Sequence, residues 1–568
     1  MRAKCSGPGV VFCETELYFQ HMFVRTRKRM NGKTQIQIVE SQRKDGKITQ
    51  KVIRSLGVAD TDEEIQRMVR IGEEIIVELK NARKPVLSFV DPFDIHRPAK
   101  RAVNVDGDVR LMDLLHERNV NDGVIDVLGK TFDSMGLRKI FGSGKKSEEW
   151  FNLLKASVIA RIACPLSKLA TTRYLFEEMA LTIPVDRVYR LMDHLSDLEK
   201  PIKRAICNKS LSMFGQEVDV LFFDVTTLYF ESTQSDELRN FGFSKDCKFK
   251  EVQVVLALVT TTDGLPVTYK LYPGNTFEGH TLLDAVRELK AEYRISDILL
   301  VADRGMFNKA NIDAMEAEGI EYIVAAKLKS QPSAVKGRIL TDADFRACLV
   351  ENDLQWVKEY DHSGRRLIVG YSSKRARKDQ SDRTRLIERL LKKAKDGKIK
   401  LSELIPNYGT KKFLRIKSGE ALINSGKIEE EAKWDGLHGV ITNKHNLTPQ
   451  EILSRYRGLW QIEAAFRVNK HSLKMRPIYH WNESRVRAHI LICYLAYAVS
   501  KITLCKLKEK GINMSLEQLR LQLNSIESIV LQEIKSKKKF VMPSKLNPAQ
   551  KQIYRALGIT RIQTPFPI

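Results

Sequence analysis

The spacing of apolar positions changes several times along this chain, and each change marks a region. Residues 1–21 carry no periodicity, and a different texture opens at Met22, so the first 21 read as an extension. Between 34 and 56, TQIQIVES and KITQKVIRSLG alternate apolar and polar residues and are joined by RKDGK. Period-two alternation buries one face of a strand, and an Asp-Gly pair suits a tight hairpin turn, so a β-hairpin turning at Asp45-Gly46 is predicted. A helix over DEEIQRMVRIGEEIIVELKNA follows, capped at Thr61. Pro92 and Pro98 mark a linker; from 108 to 215 apolar residues then recur three and four apart, which predicts helices with room for a helix-turn-helix.

At 218 the texture turns to apolar runs: VDVLFFDVTTLYF, then EVQVVLALVTTTDGLPVTYKLYP with a hairpin turn at Asp263-Gly264, then DILLVAD. Helical patterns follow at 279–293 and 308–318, so this stretch reads as an α/β core with a mixed sheet. Residues 331–435 interrupt it with short strands such as RRLIVGYSS and the charged helix SDRTRLIERLLKKAKDG. The core resumes at DGLHGVITN, continues through an apolar helix near 490, and ends in a tail containing KSKKK. The division is therefore 1–21 extension, 22–100 hairpin plus helix, 101–215 helical and DNA-binding, 216–330 with 436–505 core, 331–435 β-rich insertion, and 506–568 basic and helical.

Charge narrows the partner. Lys and Arg outnumber Asp and Glu by 95 to 70 in 568 residues, a net charge of +25, which favours a polyanion. Eight cysteines stand singly with no C-x-x-C pair, which suits a reducing cytoplasm and excludes a zinc-knuckle reading. The stretch AHILICYLAYAVSKITLC carries His489 and Lys501 and reads as a buried core helix, so no membrane partner is expected.

Three acids stand out. Asp224 closes VLFFD and Asp303 closes ILLVAD, at strand ends where α/β sheets place their sites, although one such aspartate more often only caps a turn. Thr448-Pro449-Gln450-Glu451 is a capping box with proline at the first helical position, so a helix starts there and runs to about 472. Leu459, Ile462, Phe466 and Leu473 fall on one stripe, and Glu463 edges it. Tyr456, Glu463 and Lys470 are seven apart and, on a continuous helix, face one way. The plain alternative is a surface pair between Glu463 and Arg467. Three carboxylates beside a basic helix suit phosphodiester cleavage by two Mg²⁺ ions, which take hard oxygen ligands.

FFDVTTLYFES, GNTFEGHT, VADRGM and YRGLWQIEAAFRVNK together resemble the DDE transposases of bacterial insertion sequences, specifically the IS-four superfamily with its signature Y-x2-R-x3-E-x6-K. RIACPLSKLATTRYLF, GFSKD and EAKWDGLHGVITN resemble its long-chain branch. The resemblance implies an RNase H-like core interrupted by a β-rich insertion, with Asp224, Asp303 and Glu463 as the catalytic, metal-binding triad. It places Tyr456 and Lys470 at the signature's ends; Leu459 stands in the arginine slot, with Arg457 and Arg467 nearby and Arg304 after the second acid. The implied activity is cleavage at terminal inverted repeats and joining of 3′-OH ends to target DNA by a homodimer on double-stranded DNA, with two Mg²⁺ ions that Mn²⁺ can replace, in the cytoplasm at the nucleoid. Alternatives are a catalytically silent DNA-binding derivative and a generic RNase H-like nuclease. Asp435 before Gly436 reads as a turn residue, Glu278 and His280 as loop candidates, and Trp460 and Trp481 as core residues with base stacking as the alternative.

Overall fold

Alternation decides the first strands. In the computed structural model Thr34, Ile36 and Ile38 are buried while Gln35 and Gln37 between them are half-exposed. The structure describes residues 21–28, 34–44, 47–59, 61–83, 109–213, 220–243, 250–276, 281–293, 299–303, 309–351, 353–393, 398–400, 412–417 and 420–568. They fall into two units, up to Phe89 and from Val90 onward. In the first, β1 (His21–Lys28), β2 (Thr34–Lys44) and β3 (Lys47–Ala59) form an antiparallel sheet in that order. The predicted hairpin is β2–β3; its Asp45-Gly46 turn lies outside the described residues, as does the Pro92 to Pro98 linker. Helix α1 (Asp62–Arg83) starts after Thr61, whose Oγ1 accepts the Glu64 N–H at 3.3 Å.

The second unit is built on nine strands: β5 (Val220–Tyr229), β6 (Gln253–Thr261), β7 (Pro266–Pro273), β8 (Leu299–Ala302), β9 (Glu321–Ala325), β10 (Arg346–Val350), β11 (Asp353–His362), β12 (Arg365–Ser372) and β16 (Leu437–Thr442). Their order is β10-β11-β12-β16-β9-β8-β5-β6-β7. The run β7-β6-β5-β8-β9, an antiparallel meander followed by two strands parallel to β5, is the RNase H-like arrangement. The predicted Asp263-Gly264 turn joins β6 to β7, with Gly264 at φ +75°, where a side chain would be strained. Both faces of this sheet are covered, which is why β5 and β6 read as near-continuous apolar runs. Phe222, Val254 and Leu256 enter one hydrophobic cluster, and Leu221, Phe223 and Val255 enter the other.

Two regional expectations change. Strands β10 to β12 belong to residues 331–435, read as an interruption, yet they extend the core sheet through β12 against β16. Only β13 (Lys398–Lys400), β14 (Leu414–Lys417) and β15 (Glu420–Ile423) form a separate small sheet. The tail is not simply helical either: β17 (Glu527–Glu533) and β18 (Lys539–Pro543) pair, and β4 (Leu114–Asn121), from the region read as all helical, joins them. Most of KSKKK forms the turn between β17 and β18. The apolar helix Glu483–Glu509 is the one helix among the described residues long and apolar enough to cross a membrane; it lies buried in the larger cluster.

Candidate active site

The sheet brings the two aspartates together. Strands β5 and β8 are parallel, with Phe223 opposite Ala302, so Asp224 and Asp303 come next on neighbouring strands spaced ~4.8 Å apart. β8 stops at Ala302 while β5 continues to Tyr229, so Asp224 lies in mid-strand and not at a strand end. Asp224 shares its face of β5 with Phe222, two residues earlier, because side chains alternate. One of its oxygens accepts the Val225 N–H at 2.7 Å. Asp303 is exposed and makes no hydrogen bond or ion pair among the described residues.

The third acid arrives on a helix that packs against that same face. Thr448 and Glu451 form the predicted capping box, and the helix Pro449–Arg457 follows. Helix Trp460–Arg467 packs on β5 and β6 with Ile462, Ala465 and Phe466 buried in the cluster that holds Phe222. All four stripe residues are buried: Leu459 6 %, Ile462 0 %, Phe466 7 %, Leu473 0 %. Glu463 is exposed and forms no ion pair with Arg467 or any other described residue, which removes the surface-pair alternative. It is not gathered with the aspartates: among the described residues no three His, Cys, Asp or Glu form a group that could hold a metal ion.

The seven-residue alignment does not carry over, because the segment is not one uniform helix. At 458–462 the amide bonds tighten to three-residue spacing (Leu459 N–H to Tyr456 O, 3.1 Å; Ile462 N–H to Leu459 O, 3.1 Å). Val468–Ser472 then widens into a π turn, a rare form that recurs at functional sites, and Lys470 sits in it, half-buried. Overwinding and then underwinding rotates Tyr456 and Lys470 away from the positions a regular helix would give them.

The basic candidates separate. Arg457 is anchored: its guanidinium donates to the Val350 carbonyl at 2.7 Å and pairs with Asp353 at the start of β11. Burial pushes the Asp353 carboxyl up, but hydrogen bonds from Arg457, Gln355 and Ser372 outweigh it and hold its pKa below the usual carboxylate value. That contribution is present above the unfolded pKa near 3.9 and is lost as pH falls through the lower folded value. Arg457→Met is therefore expected to cost about 1–3 kcal/mol of stability at neutral pH, with the difference shrinking in acid. Its DNA affinity should fall with salt as steeply as that of the wild type, measured by a binding titration, with the stability change read by calorimetry; loss of a phosphate contact would instead make the slope shallower. Arg467 is exposed, with no ion pair among the described residues. Arg304, Glu278 and His280 lie outside the described residues.

A cavity of about 800 Å³ opens beside Asp303 and Tyr456, lined also by Lys327, Arg375 and His438. Burial, then the nearby Arg375, pushes the His438 imidazole down to about 4, so it is neutral at pH 7. Sequence reasoning missed Lys327 and His438, since a lone histidine or lysine in a strand or loop carries no periodic signal. Asp435 is a turn residue as expected, and Arg383 pairs with it from the helix Ser373–Lys393 at 2.6 Å. Trp460 and Trp481 are not core: they are 55 % and 58 % exposed.

Comparison with known proteins gives two family matches: the Transposase DDE domain over residues 216–499, half of the chain, and the IS1634 family transposase N-terminal domain over 23–84. No curated protein matches. Among solved structures, the piggyBac transposase synaptic complex with hairpin DNA is 10 % identical, covering 71 % of this chain and 77 % of that one, with a TM-score of 0.37. The Mos1 transposase paired-end complex with left transposon end is 11 % identical over 28 % of this chain, at a TM-score of 0.14. This chain spans about half the length of that Mos1 chain, 53 %. The Mos1 mariner paired-end complex with Mn is 11 % identical over 32 % of this chain and 68 % of that one, TM-score 0.13.

Proposed function

The chain belongs to the DDE transposases, and from that premise we propose that it cuts DNA at the terminal inverted repeats of its element and joins the freed 3′ ends to target DNA. The observation that carries this reading is the register of β5 and β8, which sets two carboxylates side by side. We assign Asp224 and Asp303 to a divalent cation, Mg²⁺ with Mn²⁺ as substitute, and Glu463 to the same site once DNA is bound. The donor set fits: Mg²⁺ takes one or two carboxylates and fills its remaining positions with waters and phosphate oxygens. Such an ion would polarise the scissile phosphate and lower the pKa of the attacking hydroxyl.

The protein's own groups do the positioning. We assign Tyr456, on the wall shared with Asp303, to donate its hydroxyl to a phosphate oxygen, and Lys470 to supply a point charge. Arg467, exposed on the helix of Glu463, is assigned to hold the backbone further along. Leu459, buried where the signature has arginine, packs the helix and takes no part in binding. The acting species is a homodimer holding two ends, in the cytoplasm at the nucleoid. The test is nicking of duplex DNA carrying the element's end repeats. Nicks are expected with Mg²⁺ or Mn²⁺ and are expected to vanish on chelation; nicking that persists in chelator overturns the proposal.

A further inference from the structure

The stretch RIACPLSKLATTRYLF has no part in the site above, and it buries two cations. The helix Lys145–Ala163 ends ahead of Pro165, which cannot continue it. The Ser167 hydroxyl caps the next helix, Lys168–Met179, by accepting the Ala170 N–H at 3.2 Å. Arg161 thereby falls in the last turn of one helix and Lys168 at the first position of the next. They are 5 and 6 % exposed, whereas arginine and lysine are almost never so buried unless paired. Neither is paired with a carboxylate. Among the described residues Arg161 makes no hydrogen bond or ion pair, and Lys168 donates only to His489 Nδ1, at 3.4 Å. The other nitrogen of that ring, Nε2, donates to the Met475 carbonyl at 3.0 Å, so His489 is a neutral imidazole and no counter-charge. Cys493, 3.9 Å from His489, is none either, because burial pushes its thiol up. Asp193 is paired with Arg485, at 2.7 and 2.8 Å.

A buried charge without a partner is costly, and a guanidinium cannot shed its proton. Lys168 can, and burial, then the Arg161 charge, pushes its ammonium down to about 7. Lys168 also sits at the N-terminal, positive end of its helix, where an anion is favoured and a cation is not. A metal ion would be repelled by the same cations, and among the described residues His480, His489 and Cys493 form no group that could hold one. We infer that Arg161 and Lys168 form a pocket for a phosphate monoester, whose dianion would neutralise both. The enclosure selects the monoester. A diester inside a DNA strand has a sugar on either side and cannot reach groups this buried, whereas a chain end or a free phosphate can. Ser167, the residue before Lys168, is exposed, so the pocket lies just beneath the surface. Met475, which accepts from His489, donates its own N–H to the Asn469 carbonyl at 2.9 Å, in the π turn that carries Lys470. A 5′-phosphate of cleaved DNA held there would grip a strand end behind that turn, and this source rests on the transposase reading above.

Melting temperature and duplex affinity of the full chain test this. In wild-type protein, potassium phosphate is expected to raise the melting temperature saturably, by roughly 2–4 °C at a hundredfold excess over Kd, relative to chloride of equal ionic strength. Arg161→Met and Lys168→Met are expected to lose that rise and, freed of an unpaired charge, to melt no lower than wild type in chloride. Arg161→Lys keeps the charge and is expected to keep part of the rise. A duplex ending in a 5′-phosphate then separates the two sources. Binding tighter than that of its 5′-hydroxyl twin, by roughly tenfold and lost in both methionine variants, assigns the pocket to DNA ends. Equal affinity with the saturable rise intact assigns it to free phosphate. Neither a saturable rise nor a preference for the 5′-phosphate in the wild type overturns the pocket, as does either one surviving in both methionine variants. A pocket that fails in protein that still nicks end-repeat DNA leaves the transposase reading standing; a phosphate rise in protein that does not nick leaves the pocket standing without it.

Discussion

Asp224→Asn and Asp303→Asn are each expected to abolish nicking of end-repeat DNA, a loss of roughly a thousandfold or more, because a cation's charge stabilisation is worth several kcal/mol and each 1.36 kcal/mol is tenfold in rate. Asparagine keeps the shape and removes the charge, so the fold has little reason to change. Asp303 has no partner among the described residues to lose, and the Asp224 oxygen that accepts the Val225 N–H has an amide oxygen to replace it. Melting temperature and duplex affinity should therefore stay near wild type while turnover disappears. Two aspartates side by side repel, so each substitution should if anything stabilise the metal-free protein slightly. Nicking retained in either variant sinks the assignment of the pair. The Glu463→Gln variant separates a further question: a comparable loss means that the helix closes onto the aspartates when DNA arrives, since in this structure Glu463 stands apart from them.

The acid pair was legible because VLFFD and ILLVAD each end an apolar run in a carboxylate; either alone reads as a turn cap, and the two together with Glu463 suggest a metal site. What the sequence could not show was that these two runs are neighbours in parallel register, since pairing partners are chosen by the whole sheet. The helix start was legible from its local capping box; its interior was not, because the tight and wide turns on either side of Glu463 answer to packing on β5 and β6. β4 escaped for a related reason. LLHERNVN has no strong alternation, and its partner β17 lies more than four hundred residues away, where ESIVLQE offers only the short apolar run Ile529-Val530-Leu531 beside the charge run KSKKK. Arg457 illustrates the limit on charge as evidence: in sequence it looks like a DNA contact, and in the fold it pins the helix to the extra strands of the sheet.

Gly458→Ala is expected to lower nicking by roughly a hundredfold and stability by about 1–3 kcal/mol, although helix propensity alone argues for the opposite. Gly458 has helical angles, φ −56° and ψ −13°, so alanine there would gain about 1 kcal/mol in an isolated helix. The obstacle is space. A Cβ at 458 would lie 2.4 Å from Cζ and 3.2 Å from Cε2 of Phe222, and 3.1 Å from the Arg455 carbonyl oxygen. Phe222 is 1 % exposed in a packed core and has no room to swing aside. The helix must lift instead, and Phe222 is on β5 two residues before Asp224, so the lift moves Glu463 and Tyr456 away from the aspartates together. A shift near 1 Å is enough to cost about two orders of magnitude in rate. Phe222→Leu in the same chain removes the atoms in the way, at the cost of a cavity of its own. The double variant should therefore be more active and more stable than the sum of the two single losses allows, with a coupling of about 1 kcal/mol or more in a double-mutant cycle. Strict additivity would mean that Gly458 is small for some reason other than Phe222, and that the distance between the third-acid helix and the strand of the first acid is not set at this contact.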